Sequence, residues 1–322
     1  MLFARLKKKS GLPEFAAAQN GFRHRVIRDF KLNKYVYLML APVIVYYVVF
    51  YYVPMYGLQI AFKDYSLGLG MFGSPWVGFR HFEDFFQSYY FWRLLRNTLL
   101  LSLYELIFAF PAPIILALLL NELRSALFKR FVQTITYMPH FISIVVICGM
   151  LVDFLARDGL INNILAWFGV EPIAFLRESG WFRTIYITSG IWQSVGWGSI
   201  IYLAAMSAID PSLYEAARVD GANRFKQMLH ITLPGIMPTI VILLILQIGS
   251  FMTVGTDKIL LLYNSSTYET ADVIGTFVYR KGILESNFSY SAAVGLFNSV
   301  INFALLVTAN AISRRISENK LW

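Results

Sequence analysis

Seven polar or aromatic side chains interrupt long apolar stretches of this sequence, and their chemistry suits the reversible binding of a solute. A carboxylate accepts hydrogen bonds, a carboxamide donates and accepts them, and an indole ring presents a flat apolar face. Together these groups match the hydroxyls and C–H faces of a sugar. The candidate solute path consists of Asn97, Glu105, Trp192, Gln193, Trp197, Asn298 and Asn302.

The spacing of these residues leaves alternatives open for each. Glu105 follows Asn97 by about two helical turns, so the two share a helix face. Glu105 then lines the path, ties two helices together, or carries a transported proton. Trp192 and Trp197 suit either a sugar platform or aromatic packing at the membrane interface, and Gln193 cannot share one narrow stripe with its neighbour Trp192.

The two asparagines near the C-terminus also have two interpretations. Asn298 and Asn302 lie four residues apart and therefore face the same side of a helix. They can line the path, or they can form hydrogen bonds across helices, which is common inside membranes.

No catalytic constellation accompanies these residues. The sequence has no Walker A loop, no Gly-x-Ser-x-Gly and no His-Glu-x-x-His pattern. Its 4 histidines have no suitably spaced partner, and its single cysteine, Cys148, lies in an apolar run. We therefore expect a chain that is not an enzyme and that holds no metal and no cofactor of its own.

The elements that must position the solute path are membrane-spanning helices. Of the 322 residues, 57% are hydrophobic and 15% are charged, and the mean hydropathy is +0.56, whereas soluble domains carry about 25% charged residues. A span needs about 20 mostly apolar residues. Six segments qualify and predict an all-α, polytopic bundle of six transmembrane helices, at 35–62, 98–120, 134–155, 185–209, 234–256 and 291–311.

Four prolines lie within these predicted spans: Pro111, Pro113, Pro139 and Pro238. A proline frees backbone groups and bends its helix. In a membrane such a break is tolerated only where protein or a water-filled cavity covers it. The prolines therefore favour a moving bundle with a cavity over a static anchor.

The distribution of basic residues predicts the orientation. Most of the 28 Lys and Arg residues lie in 1–34, in the loops after the second and fourth spans, and after the sixth span, and such basic segments stay cytoplasmic. Both termini are therefore expected in the cytoplasm, with partly helical caps outside at 63–93, 156–184 and 257–290. The net charge of +9 then concerns topology and lipid rather than nucleic acid.

The predicted domain organisation follows from the high content of Lys and Arg in residues 1–34. Residues 1–34 are expected to be a separate cytoplasmic segment that lies on anionic lipid as an amphipathic helix, with a disordered tail as the alternative. Residues 35–322 form the six-span domain.

The loop after the fourth span, 210–234, is predicted to fold as helix, turn and helix. Asp210 or Ser212 can cap a first helix that Pro211 opens, with Glu215 completing a capping box. Gly221 can end that helix in the left-handed conformation. A rigid, charged bracket of this kind suits docking into a cleft of a soluble partner, whereas an ordinary polar loop is the alternative.

This loop resembles the EAA loop of ABC importer permeases, which reads Glu-Ala-Ala, three residues, Gly, nine residues, Ile-x-Leu-Pro. The matching residues stand at the family's spacing without a gap: Glu215, Ala216, Ala217, Gly221, Ile231, Leu233 and Pro234. Further segments are similar to the polysaccharide-type subgroup of the sugar importer permeases, alginate importers among them: 52–57, 60–65, 74–78, 97–99 and 137–143.

The resemblance implies the type I ABC importer permease fold and a place in the bacterial inner membrane. In the family this loop is the coupling helix seated in an ATPase subunit, so the implied coupling residues are Glu215, Ala216, Ala217, Asp220, Gly221 and Arg224.

The resemblance also implies partners and a solute. The partners are a second homologous permease, two ATPase subunits that bind ATP and Mg, and a periplasmic solute-binding protein. The solute is an oligo- or polysaccharide such as alginate; another solute, and an ion-coupled secondary transporter, are the alternatives.

Overall fold

The computed structural model describes residues 28–316, with side chains up to residue 313. Within that range the regular secondary structure is helical, and an isolated bridge between Lys63 and Trp76 is the one extended pairing. Most of the predicted basic segment 1–34 lies outside the described residues, so its placement on lipid stays a prediction.

Helices occupy most of the described range and are numbered in chain order. They are α1 (Lys34–Phe62), α2 (Gly70–Gly73), α3 (Arg80–Gln87), α4 (Phe91–Glu122), α5 (Ala126–Phe141), α6 (Ile144–Phe154), α7 (Leu160–Ala166), α8 (Ser179–Ser207), α9 (Pro211–Val219), α10 (Arg224–Gly235), α11 (Met237–Gly249), α12 (Thr256–Leu262), α13 (Tyr268–Ala271), α14 (Ile274–Tyr279) and α15 (Phe288–Ile316). One wide turn, Arg280–Leu284, continues α14.

Helix length and composition support the membrane assignment. Among the described residues, α1, α4 and residues Phe288–Ser313 of α15 are each long and apolar enough to cross a membrane. The bent pairs α5/α6 and α10/α11 bring the number to 5 if each pair is one span. The remaining predicted span, 185–209, lies in α8, which has 29 residues but too many polar ones to qualify by hydropathy.

Two of the predicted proline sites are sharp bends. The break between α5 and α6 turns the chain by 100°, directly after Pro139, and the break before Pro238 turns it by 57°. Pro111 and Pro113 act differently, because α4 stays one helix and absorbs them in a wide turn over Glu105–Ala109. In that turn the N–H of Phe110 donates to the carbonyl of Glu105, five residues earlier, at 2.9 Å.

Contacts divide the chain into two units at Gln59 and Ile60. In the first unit, no residue of Lys34–Tyr47 is buried. The second unit contains three apolar clusters. They are centred on Leu101, Phe182, Ile187 and Ile259; on Phe85, Leu94, Phe277 and Val294; and on Ile114, Ala117, Tyr202 and Ile236.

A glycine permits a close contact between two helices of the second unit. A Cβ at Gly196 of α8 would lie 2.1 Å from the backbone oxygen of Thr136 in α5. The two helices can approach this closely only because residue 196 has no side chain, so Gly196 fixes the position of the wall that carries Gln193.

Candidate functional site

The loop 210–234 folds as the sequence predicts, with one change at its start. The side chain of Asp210 caps α9 by accepting a hydrogen bond from the backbone N–H of Ser212 at 2.9 Å, and Pro211 occupies the first turn. That backbone hydrogen bond holds the pKa of the exposed Asp210 carboxyl below its usual value. Because Asp210 is the cap, the predicted capping box between Ser212 and Glu215 does not form, and the Glu215 carboxylate is left exposed.

The end of α9 has a specific backbone geometry. The N–H of Gly221 donates to the carbonyl of Arg218 at 3.1 Å, and the N–H of Ala222 donates to the carbonyl of Ala217 at 2.8 Å. These two bonds are the Schellman arrangement that closes a helix. This arrangement requires a residue in the left-handed conformation just after the helix, and Gly221 has a φ of +77°.

The surface of the loop is open and partly apolar. Glu215, Ala216, Asp220 and Gly221 are exposed, and Ala217 is half-buried. Beside them, large apolar side chains are also exposed: Val219 by 88%, Phe225 by 65% and Leu213 by 53%. Apolar groups clustered around a charged residue on a rigid bracket are typical of a docking surface.

Side-chain contacts join this bracket to the spans. Tyr214 of α9 and Thr232 of α10 share a hydrogen bond of 3.0 Å between their hydroxyls. Arg224, predicted as an ATPase contact, also reaches the end of α4: its Nη1 donates to the carbonyl of Glu122 at 3.3 Å and lies 3.8 Å from that residue's carboxylate. Movement of the bracket is thereby linked to α4, which carries Glu105.

A central cavity of about 650 Å³ opens between α4, α8 and α11. Its volume falls within the range of small-molecule sites. Of the predicted path residues, Glu105 and Gln193 line it, together with Gln247. Its remaining lining residues are Ala109, Phe110, Pro113, Tyr186, Ile187, Gly190, Ser194, Gly198, Ile201, Tyr202, Leu243, Leu246, Ser250 and Lys258.

Tyr186 connects three elements at one end of this cavity. Its hydroxyl donates to Oε1 of Glu105 at 3.0 Å and accepts from the backbone N–H of Gly255 at 3.0 Å. Its backbone carbonyl accepts from Nζ of Lys258 at 2.9 Å. We call these four residues the Tyr186 junction. Glu105 is thus both a tie to a neighbouring helix and a cavity-lining carboxylate.

Asn97 lies elsewhere, contrary to the prediction that it shares a path with Glu105. It is fully buried. Its Nδ2 donates to the carbonyls of Glu269 and Asp272 at 2.9 and 3.0 Å, and its Oδ1 accepts from Arg183 at 3.0 Å. Eight residues of regular helix place Asn97 roughly 12 Å along α4 from Glu105, where it fastens α4 to the segment around α13.

Asn298 and Asn302 bind across helices, which is the second of their two interpretations. Oδ1 of Asn302 accepts from the N–H of Met252 at 2.7 Å, and Nδ2 of Asn298 donates to the Met252 carbonyl at 3.3 Å. Nδ2 of Asn302 also bonds the Thr253 hydroxyl at 3.0 Å. These bonds satisfy the non-helical backbone that follows α11, which would otherwise be costly within a bilayer.

The two tryptophans do not form the predicted platform beside Gln193 in the central cavity. Trp192 lines a separate cavity of about 280 Å³ with Ile147 and Phe154. Trp197 stacks on His140, with ring centroids 4.6 Å apart and planes 2° from parallel. The aromatic residues that line the central cavity are Phe110, Tyr186 and Tyr202 instead.

The sequence reasoning missed the roles of Lys258 and Asp272. Asp272 is fully buried and accepts from both terminal nitrogens of Arg280 at 2.8 and 2.7 Å, while Arg93 lies at 3.4 Å. Arg93, near Asp272, and Arg183, which donates to Asn97, are both engaged inside the protein. A signal was present: Lys258 and Asp272 are charged residues in segments that are otherwise rich in apolar residues.

Comparison with known proteins places the chain. Residues 109–318 match the family described as binding-protein-dependent transport system inner membrane component. In Bacillus subtilis, Protein LplB is 47% identical over 91% of this chain and 92% of its own length. The polygalacturonan/rhamnogalacturonan transport system permease protein YteP, from the same organism, is 47% identical over 93% of this chain and 94% of its own length.

Two solved structures are similar to this chain in both sequence and fold. One is a bacterial ABC transporter involved in the import of the acidic polysaccharide alginate, with TM-score 0.85 and 47% identity, covering 91% of this chain and 99% of the other. The second is a bacterial alginate ABC transporter in complex with an alginate pentasaccharide-bound periplasmic protein, with TM-score 0.86 and 46% identity, covering 92% of this chain and 100% of the other. The chain belongs to the binding-protein-dependent transport system inner membrane components, the multi-pass permease subunits of ABC importers, in which a separate subunit hydrolyses ATP.

Proposed function

We propose that this chain is one transmembrane subunit of an ATP-driven importer for acidic oligo- or polysaccharides, alginate or a polygalacturonan among them. The observation that carries the proposal is the exposed, rigidly capped bracket of loop 210–234, which is joined to the helix that lines the central cavity. The relatives named for polygalacturonan and alginate support the acidic solute.

The partners follow from the same reasoning. A second, related permease completes the path, and two ATPase subunits bind below, with ATP and Mg on those subunits. A periplasmic solute-binding protein delivers the saccharide at the outer caps, as in the neighbouring complex with a periplasmic protein. The assembly lies in the bacterial inner membrane.

The coupling route runs through residues of this chain. Glu215 and Gly221 lie on the docking face, so closure of the ATPase subunits displaces α9. The Tyr214–Thr232 bond passes the displacement to α10, and the Arg224–Glu122 contact passes it to α4. Because α4 also carries Glu105, the cavity changes shape when the bracket moves.

The proposal is tested by ATP-driven uptake of an alginate oligosaccharide into vesicles that contain the four-subunit complex and its binding protein. Glu215→Lys reverses the charge on the docking face, so we expect uptake to fall at least about tenfold, with weaker ATPase docking and unchanged membrane insertion. Glu171→Lys makes the same charge change at an exposed position of an outer cap and is the matched control.

Two results would contradict the proposal. One is normal uptake with Glu215→Lys, which removes the coupling role. The other is uptake by the wild-type vesicles on an ion gradient without ATP, which supports the secondary-transporter alternative.

A further inference from the structure

Lys258 is a buried cation without an ionic partner. It lies in α12, lines the central cavity, and is only 7% exposed. Its Nζ donates to the Tyr186 carbonyl at 2.9 Å and lies 4.9 Å from the centre of the Tyr186 ring. Among the described residues, no carboxylate oxygen lies within 4.0 Å of Nζ.

This arrangement is unusual, because a buried charge is costly unless it is paired. Arg280 of the same chain shows the ordinary solution, a two-pronged ion pair with Asp272. An ammonium group has three donors, and the Tyr186 carbonyl uses one of those on Lys258. The two remaining donors are available to a group that enters the cavity.

Two ionisable groups lie near Lys258. Glu105 lines the same cavity, but its Oε1 accepts a hydrogen bond from the Tyr186 hydroxyl, and its carboxylate does not come within 4.0 Å of Nζ. Cys148 packs into the same apolar cluster as Tyr186 and carries no charge as a thiol. The cavity is therefore lined by one positive and one negative group that do not form an ion pair with each other.

A uronate residue complements this pattern. Its carboxylate accepts hydrogen bonds from Lys258, and its hydroxyls donate to Glu105 and bond the carboxamides of Gln193 and Gln247, which also line the cavity. A neutral sugar also forms hydrogen bonds with the Glu105 carboxylate and with the carboxamides of Gln193 and Gln247. It leaves the ammonium group of Lys258 without a counter-charge. Selection between the two classes depends on Lys258 alone.

We infer that Lys258 is a specificity-determining residue that binds the carboxylate of a sugar acid within the membrane path of this permease. The inference rests on the proposed function and adds that this subunit itself distinguishes acidic from neutral saccharides. The periplasmic protein is therefore not the sole source of selection.

The test measures equilibrium binding to the full permease–ATPase complex in lipid nanodiscs, without the binding protein. The probes are an alginate trisaccharide and the same trisaccharide with its carboxyl groups reduced to alcohols. Wild type is expected to prefer the acidic probe by at least about tenfold. Lys258→Met should weaken binding of the acidic probe by about 10- to 150-fold, which is the effect of losing one charge-assisted contact. It should change the affinity for the neutral probe by less than about twofold.

Two further variants separate recognition from structure. Lys258→Arg keeps the charge and should retain most of the preference for the acidic probe. Lys281→Met makes the same substitution at a lysine that lies outside the central cavity and pairs with Glu285, so it should leave the acidic-to-neutral ratio unchanged.

The inference is overturned if Lys258→Met weakens binding of both probes equally or of neither, or if Lys281→Met abolishes the acidic-to-neutral ratio. It is also overturned if wild type binds the two probes alike. Such results leave the proposed function intact as long as wild-type vesicles import alginate oligosaccharide with ATP. Absence of ATP-driven uptake in wild type removes the proposed function itself.

Discussion

Replacement of Gly221 by alanine tests how far coupling depends on the backbone geometry of the bracket. Gly221 has a φ of +77°, and a Cβ at this position would have no heavy atom within 4 Å. The substitution therefore causes no collision, and its cost is that of holding a non-glycine residue in the left-handed region, about 1–2 kcal/mol. That cost lowers the equilibrium constant for forming the capped conformation of loop 210–234 by about 5- to 30-fold relative to the wild type.

The matched control is Gly221→Asn, because asparagine tolerates the left-handed conformation. The assay is ATP hydrolysis by the reconstituted complex, with and without the loaded binding protein. We expect Gly221→Ala to lose most of the stimulation by the binding protein while the basal rate persists, and Gly221→Asn to retain it. Equal behaviour of the two variants would refute the argument that the backbone conformation at residue 221 matters for coupling.

Two predictions concern the internal ties. Asn302→Leu leaves the N–H of Met252 unpaired next to the end of α11, so thermal unfolding of the purified complex should show a loss of about 1–3 kcal/mol; a change below about 0.5 kcal/mol contradicts the role of this tie. Asp272→Asn leaves the half-buried Arg280 without its counter-charge and should cost about 3–5 kcal/mol. Glu285→Gln breaks only a partly exposed pair and should cost less than about 1 kcal/mol, so equal losses in these two variants refute the ranking.

The coupling loop could be predicted from the sequence because its determinants are local. A proline at the first turn, a glycine at the end and an EAA motif between them act through neighbouring residues, and the structure has α9 ending at Val219 with Gly221 just beyond. The exact cap could not be assigned, since Asp210 and Ser212 are both competent and tertiary context decides between them.

The cavity was harder to predict because its residues come together from distant parts of the chain. Glu105 and Gln193 were found from their polarity in apolar stretches. Lys258 was missed because it follows the predicted end of the fifth span and therefore resembles a residue of an outer cap. Its burial arises because α12 packs against α6 and its side chain reaches Tyr186 of α8, neither of which the sequence pattern specifies.

Asn97 shows the opposite error. Helical periodicity placed it on the face of Glu105, but it lies about two turns away along the helix, where the packing of the outer segment puts it in a separate network with Arg183 and Asp272. Periodicity identifies a polar face within a membrane helix, and it does not distinguish a solute path from a hydrogen-bonded seam.

The geometry of α4 explains how one helix can serve both ends of the molecule. It runs without interruption over 32 residues, and its residues from Asn97 to Glu122 span ~38 Å at 1.5 Å per residue. Its inner end contacts the bracket through Arg224, its middle lines the cavity, and its outer end is fastened by Asn97. A tilt of α4 therefore acts on all three at once.

The most direct test of the central claim is crosslinking from the bracket. Ala216→Cys places a thiol on the exposed face of α9, and the native Cys148 is 2% exposed, so a thiol-specific crosslinker reacts mainly at residue 216. In the assembled transporter we expect residue 216 to crosslink to the ATPase subunit, whereas Ser265→Cys, exposed on an outer segment, does not. A residue 216 thiol that reacts freely with a soluble reagent, and forms no crosslink while the ATPase is bound, would contradict the account.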